Sequence, residues 1–205
     1  MLNLTISKSN IITYLWTRNV LSAEGGVAFI PALLEVEFVF GAESLSESED
    51  VAPHEYLSVH ADGVLELFDK THITWDKDDC AITVTSEISE YYGGNKVLQT
   101  PYNPTLENVS GMIYAVMHRL LCASNFGNSE DPELELMYVK VTDSITKSSS
   151  TFSSMANEGR MARNATTFKW NPTSLESAAL DVAALFSQDV RIDVPVAEKT
   201  VDKYE

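Results

Sequence analysis

The sequence predicts an α+β protein: a mostly antiparallel β-sheet, with a meander around 55–89, and two amphipathic helices, at about 104–124 and 172–187, packed on it. Three observations lead there. Short runs of alternating apolar and polar residues recur, two longer segments carry apolar residues at helical spacing, and the order of the two kinds is not the strict alternation of βαβ units. The two helix starts are also built alike, Tyr102-Asn103-Pro104-Thr105-Leu106-Glu107 and Trp170-Asn171-Pro172-Thr173-Ser174-Leu175-Glu176. In each, Asn suits the N-cap, Pro the first helical position, and Glu the positive end of the helix. The segments upstream correspond as well, Ile82 to Ser89 against Val139 to Thr146. A strand, loop and capped helix used twice is the unit this suggests, although local physics favours each feature separately.

Along the chain, Leu34 to Phe40 alternates as a half-buried strand, and the Ser and Glu cluster from Glu43 to Asp50 is a solvated loop. Tyr56 to His60 and Val64 to Phe68 flank Ala61-Asp62-Gly63, a type I′ hairpin signal. His72 to Trp75 and Ala81 to Thr85 flank Asp76 to Asp79 and complete the meander. Leu106, Val109, Ile113, Val116, Met117, Leu120 and Leu121 then fall on one face of a helix. Glu133 to Ile145 alternates as a strand, and 147 to about 165 reads as a long loop. Thr166 to Trp170 is a short strand, the second helix follows, Val190 to Val194 is a final strand, and the tail after 196 is frayed. One domain over 1–205 accommodates all of this.

Charge narrows the function classes. The net charge is −16, and Glu35 to Glu90 holds fifteen acidic residues against two basic ones. Such a surface repels phosphate, so direct nucleic-acid binding is not expected. The first twenty residues lack the apolar core of a signal peptide, and the uncharged stretch from Gly25 to Leu34 is too short to span a bilayer, so neither export nor a membrane is expected. Two cysteines, Cys80 and Cys122, give no disulfide framework. A cytoplasmic location, or one inside an assembled virion, follows. Sequons at Asn3, Asn108 and Asn164 are silent without export.

No motif reaches the specificity of a catalytic signature. His118 and Cys122 stand at i, i+4, but zinc would need two further ligands from Cys80 with His60 or His72. Asp76, Asp78 and Glu87 fit three positions of a calcium loop, which fails where Cys80 and Ala81 replace a ligand and the turn Gly. Ser144-Ile145-Thr146-Lys147 matches Ser-x-x-Lys without the companion motifs of serine acyl enzymes. No metal, cofactor or catalytic residue is therefore expected.

The loop carries Lys147, Arg160 and Arg163 against Glu158 in an otherwise acidic chain. Phe152, Met155, Arg160, Met161 and Arg163 would contact a partner, with Asp76, Asp78 and Asp79 of the acidic meander as the complementary surface in a neighbouring copy. The expectation is a non-enzymatic, self-assembling homo-oligomer that meets other structural proteins, such as a phage tail, neck or connector subunit forming a ring or tube. The alternatives are a protein-binding adaptor, or a hydrolase or metal-dependent enzyme whose site only the fold assembles.

Overall fold

The structure is a computed structural model and describes residues 2–18, 26–45, 51–52, 54–92, 96–100, 102–123 and 134–153, with the short strands at 166–167, 169–170 and 191–192. Its elements run β1 (Leu2–Arg18), β2 (Val27–Ala42), α1 (His54–Glu66), β3 (Thr71–Trp75), α2 (Asp79–Tyr92), β4 (Lys96–Thr100), α3 (Leu106–Ala123), β5 (Glu135–Asp143), β6 (Ser149–Ser153), β7 (Thr166–Thr167), β8 (Lys169–Trp170) and β9 (Arg191–Ile192). The main sheet has the order β6-β5-β2-β1-β3-β4-β8. Its pairings are antiparallel except for β1 with β3 and β3 with β4, which are parallel. Three helices pack on this mixed, mostly antiparallel sheet, so the predicted α+β class stands.

The core lies between the sheet and helices α1 and α3. Ile6, Leu15, Leu34, Val36, Phe38, Phe40, Val139, Val141 and Phe152 face Leu57, Val64, Val109, Ile113 and Met117 in one buried cluster. Period-two alternation then sends Tyr14, Trp16, Phe29 and Pro31 to the opposite face. A register shift in the β1–β2 ladder between Lys8 and Ile11, with Asn10 at φ 66°, switches which residues of β1 point inward. Beside that bulge Lys8 Nζ reaches Ser58 Oγ at 2.8 Å and Asp62 of α1 at 2.7 Å.

The meander at 55–89 is corrected: only Thr71–Trp75 is a strand there, between two helices. Leu57, Ala61, Val64 and Leu65 recur at helical spacing on the buried side of α1, which overrides the Asp62-Gly63 turn signal. In α2 the alternation of Ile82-Thr83-Val84-Thr85 is superseded by its cap. Asp78 Oδ1 accepts the Ala81 N–H at 3.2 Å, and the Asp78 carbonyl accepts the Ile82 N–H at 3.0 Å. Thr83 and Thr85 turn their hydroxyls back onto the carbonyls of Asp79 and Ala81, each at 2.8 Å, and so fit within a helix.

The long loop is corrected at its start. Ser149–Ser153 is edge strand β6, with Phe152 opposite Val139 and turned inward. The second helix at 172–187, most of the loop and the tail lie outside the described residues. The short strands at 166–170 and 191–192 fall where strands are expected, and α3 and β5 do likewise. Of the two supposed repeat units, the upstream segment of the first is helix α2 and that of the second is strand β5, so those segments do not correspond.

Candidate functional site

Strands β1, β3 and β4 run parallel and end together, and the chain beyond their carboxyl ends supplies Asp78 and Asn103. Crevices at the carboxyl ends of parallel strands, where the strand direction changes, are where open sheets hold ligands. Here the change falls at β1, parallel to β3 and antiparallel to β2.

Four rings meet on the face opposite α1 and α3. Cross-strand register brings Trp16 beside Phe29, Tyr14 beside Pro31, and Tyr14 beside His72. Tyr14 stacks on His72 at 4.7 Å and on Phe29 at 5.8 Å, and Phe29 and His72 lie 6.3 Å apart, with interplanar angles of 26°, 15° and 24° in that order. Three rings thus share nearly one orientation. Trp16 tilts against them, 5.0 Å from Phe29 and 6.1 Å from His72. Phe29 is 49% exposed, whereas His72 is 6% exposed, so the cluster has an open rim and a sheltered floor.

The floor is chemically defined. The Trp16 indole N–H donates to His72 Nδ1 at 3.0 Å. An indole nitrogen can only donate, so Nδ1 is the accepting, unprotonated nitrogen and the neutral ring carries its proton on Nε2. Burial disfavours the imidazolium and lowers the His72 pKa below its ordinary 6.5. Nε2 has no hydrogen-bond partner among the described residues.

The upper end of the cluster is polar. Thr74, one alternation beyond His72, is fully buried and its Oγ1 has no hydrogen-bond partner among the described residues. Asp78 is 1% exposed; with Oδ1 committed to the α2 cap, its Oδ2 lies 3.8 Å from Arg18 Nη1, beyond hydrogen-bond length. Arg18 is held by its backbone. Its N–H donates to Asn103 Oδ1 and its carbonyl accepts from Asn103 Nδ2, both at 2.8 Å, so one side-chain amide takes the place of a further strand residue beside β1. Asn103 is therefore not the cap of α3, as its sequence context suggested. Thr105 fills that role, its carbonyl accepting the Val109 N–H at 2.9 Å.

Of the residues expected to contact a partner, Phe152, Asp76, Asp78 and Asp79 are described. Asp76 and Asp79 are exposed while Asp78 is buried as a helix cap, so they present no single acidic surface. Phe152 is a core residue against Tyr114 and Gly111 and is not a surface contact. Met155, Arg160, Met161 and Arg163 lie outside the described residues. Ser144 Oγ donates to Glu35 at 2.8 Å, and Lys147 sits in the following turn at φ 61°, so the Ser-x-x-Lys match is part of a connection between strands. Tyr14, Trp16, Arg18 and Phe29 are not among the residues the sequence pattern singles out for a site, and Asn103 reads there only as a helix cap. The alternating aromatics of Tyr14-Leu15-Trp16 were the one local signal available.

No protein-family model matches the sequence, and no curated protein matches it either. The fold is similar to that of an uncharacterized protein from Wolinella succinogenes, at a TM-score of 0.52 and 12% identity, over 75% of this chain and 99% of that one. It is also similar to 6-pyruvoyltetrahydropterin synthase from Plasmodium vivax, at a TM-score of 0.49 and 11% identity, over 74% of this chain and 98% of that one. Such identities speak to the fold alone. They give the expected non-enzymatic virion subunit no support, one of the two chains being an enzyme and the other uncharacterized, and that expectation is withdrawn. No described helix is long and apolar enough to cross a membrane.

Proposed function

We propose that this protein binds a planar aromatic small molecule on the ring platform of Tyr14, Trp16, Phe29 and His72. The observation that carries the reading is the shared orientation of three rings, with one of them, Phe29, half exposed at the rim. Stacking on such a surface contributes about 0.5–1.5 kcal/mol per well-placed ring pair beyond the area it buries. Polar groups converge beside the platform, as ligand sites require for orientation. His72 Nε2–H supplies a donor at the floor, and Arg18 and Asp78 supply opposite charges at the upper end.

Fluorescence tests this directly. The chain has three tryptophans, so W75F with W170F leaves Trp16 as the reporter. Titration with isoquinoline or adenine is expected to quench it saturably, and F29A to weaken that binding about tenfold. Absence of a saturable change up to the solubility limit of both probes would overturn the reading.

A further inference from the structure

We propose that Trp16 sets the tautomer of His72, so that the platform selects planar rings carrying a hydrogen-bond acceptor at their edge, such as an aromatic nitrogen or a carbonyl oxygen. This deepens the platform reading and rests on it. The indole N–H has no lone pair to offer and lies 3.0 Å from Nδ1. That contact is lost if the imidazole proton moves to Nδ1, because two N–H groups would then face each other. Tyr14, stacked on the imidazole at 4.7 Å, opposes a ring flip that would exchange the two nitrogens. Burial acts in the same sense, holding the imidazole neutral.

The floor of the site is therefore a donor of fixed direction. A ring edge that is also a donor meets Nε2–H without a partner, and an edge of carbon leaves that in-plane N–H unpaired against the ligand's rim. Leaving a buried polar group unpaired is what makes a site reject a ligand of the right shape. Trp16 acts on this choice through His72 as a positioning residue, in addition to its own ring contacts.

Isoquinoline and naphthalene share size, shape and stacking area and differ by one acceptor nitrogen, which makes them suitable probes. By calorimetry at pH 8, where isoquinoline is neutral, the intact chain is expected to bind isoquinoline about tenfold more tightly than naphthalene. W16F keeps a ring and removes the N–H, and the ratio should fall toward unity. Nitrogen-15 spectra of the imidazole give a second readout that a packing role alone would not move: an unprotonated Nδ1 and a protonated Nε2 in the intact chain, and a tautomer mixture in W16F. Equal binding of both probes, or a protonated Nδ1 in the intact chain, sinks the tautomer inference and leaves the platform reading standing. Failure of isoquinoline, naphthalene and adenine alike to bind overturns the two together.

Discussion

Asp143 shows how much of this fold a single side chain can hold. It is 4% exposed, and its carboxylate accepts from the N–H of Leu33, Ile145 and Thr146 and from the Thr146 hydroxyl, at 3.2, 3.0, 3.3 and 2.7 Å. Those bonds tie β2 to the turn that connects β5 and β6. Burial by itself raises the carboxyl's pKa, but the Thr146 hydroxyl and the three backbone donors together outweigh it, and the group ends below its ordinary 3.8. A lowered carboxylate contributes stability that is present above the unfolded-state value and is lost as pH falls through the folded one. His72 obeys the same sign in a higher window, since its pKa is lowered by burial and the unfolded chain takes up the proton first. Urea unfolding across pH is thus expected to show two separable declines, one beginning below about 6.5 and another below about 3.8. H72F should flatten the first and D143N the second. If the variants run parallel to the unsubstituted chain in both windows, these assignments are wrong.

Elements meet through equally local compromises, and the clearest is at Gly111 of α3. A Cβ there would lie 3.1 Å from two carbons of the Phe152 ring on β6. Glycine in a helix costs roughly 0.5–1 kcal/mol relative to alanine, so close packing against β6 is what favours it here. G111A should therefore be neutral or destabilising in the intact chain and stabilising by up to about 1 kcal/mol in an F152A background, measured as a double-mutant cycle in urea. Additive effects would show that the contact does not matter. Helix α3 was legible in the sequence because its apolar residues repeat over five turns, whereas the single face of α1 was outvoted by a local Asp-Gly signal. Helix α2 was hidden by β-branched residues whose hydroxyls find partners only once Asp78 has started the helix. The ring platform was less legible still. Its members come from positions 14, 16, 29 and 72 on three strands, and only long-range register brings them together. His72 drew notice as a possible metal ligand, but the indole that determines its chemistry lies 56 residues away.

At the scale of the whole molecule, the β1–β2 ribbon raises the question of why Ala28, Phe29, Ile30 and Pro31 are all left exposed. Beside Val27–Ala32, on the side away from β1, no described strand lies, because β5 pairs with β2 only from Leu34 onward. Such an apolar, unpaired edge invites another chain to add a strand. The backbone directions decide whether it can. Leu33 turns its N–H to Asp143 and its carbonyl to the Ser144 N–H, so by alternation Pro31, Phe29 and Val27 direct theirs to the same open side. Ile12, opposite Leu33 in the ladder, confirms the parity, since its own N–H and carbonyl go to Asp69 and Lys70. Pro31 therefore places a ring where an incoming strand would need a donor, and it interrupts the edge at its middle. Phe29, on the same face as Pro31, is left available to a ligand lying on the sheet, which is consistent with the platform reading. Replacing the guard should change the behaviour of the whole molecule: P31V restores the N–H, adds a β-branched side chain, and is expected to raise the mass measured by light scattering above that of the unsubstituted chain at equal concentration. Two equal masses across a concentration series would mean that something other than Pro31 keeps this edge from pairing.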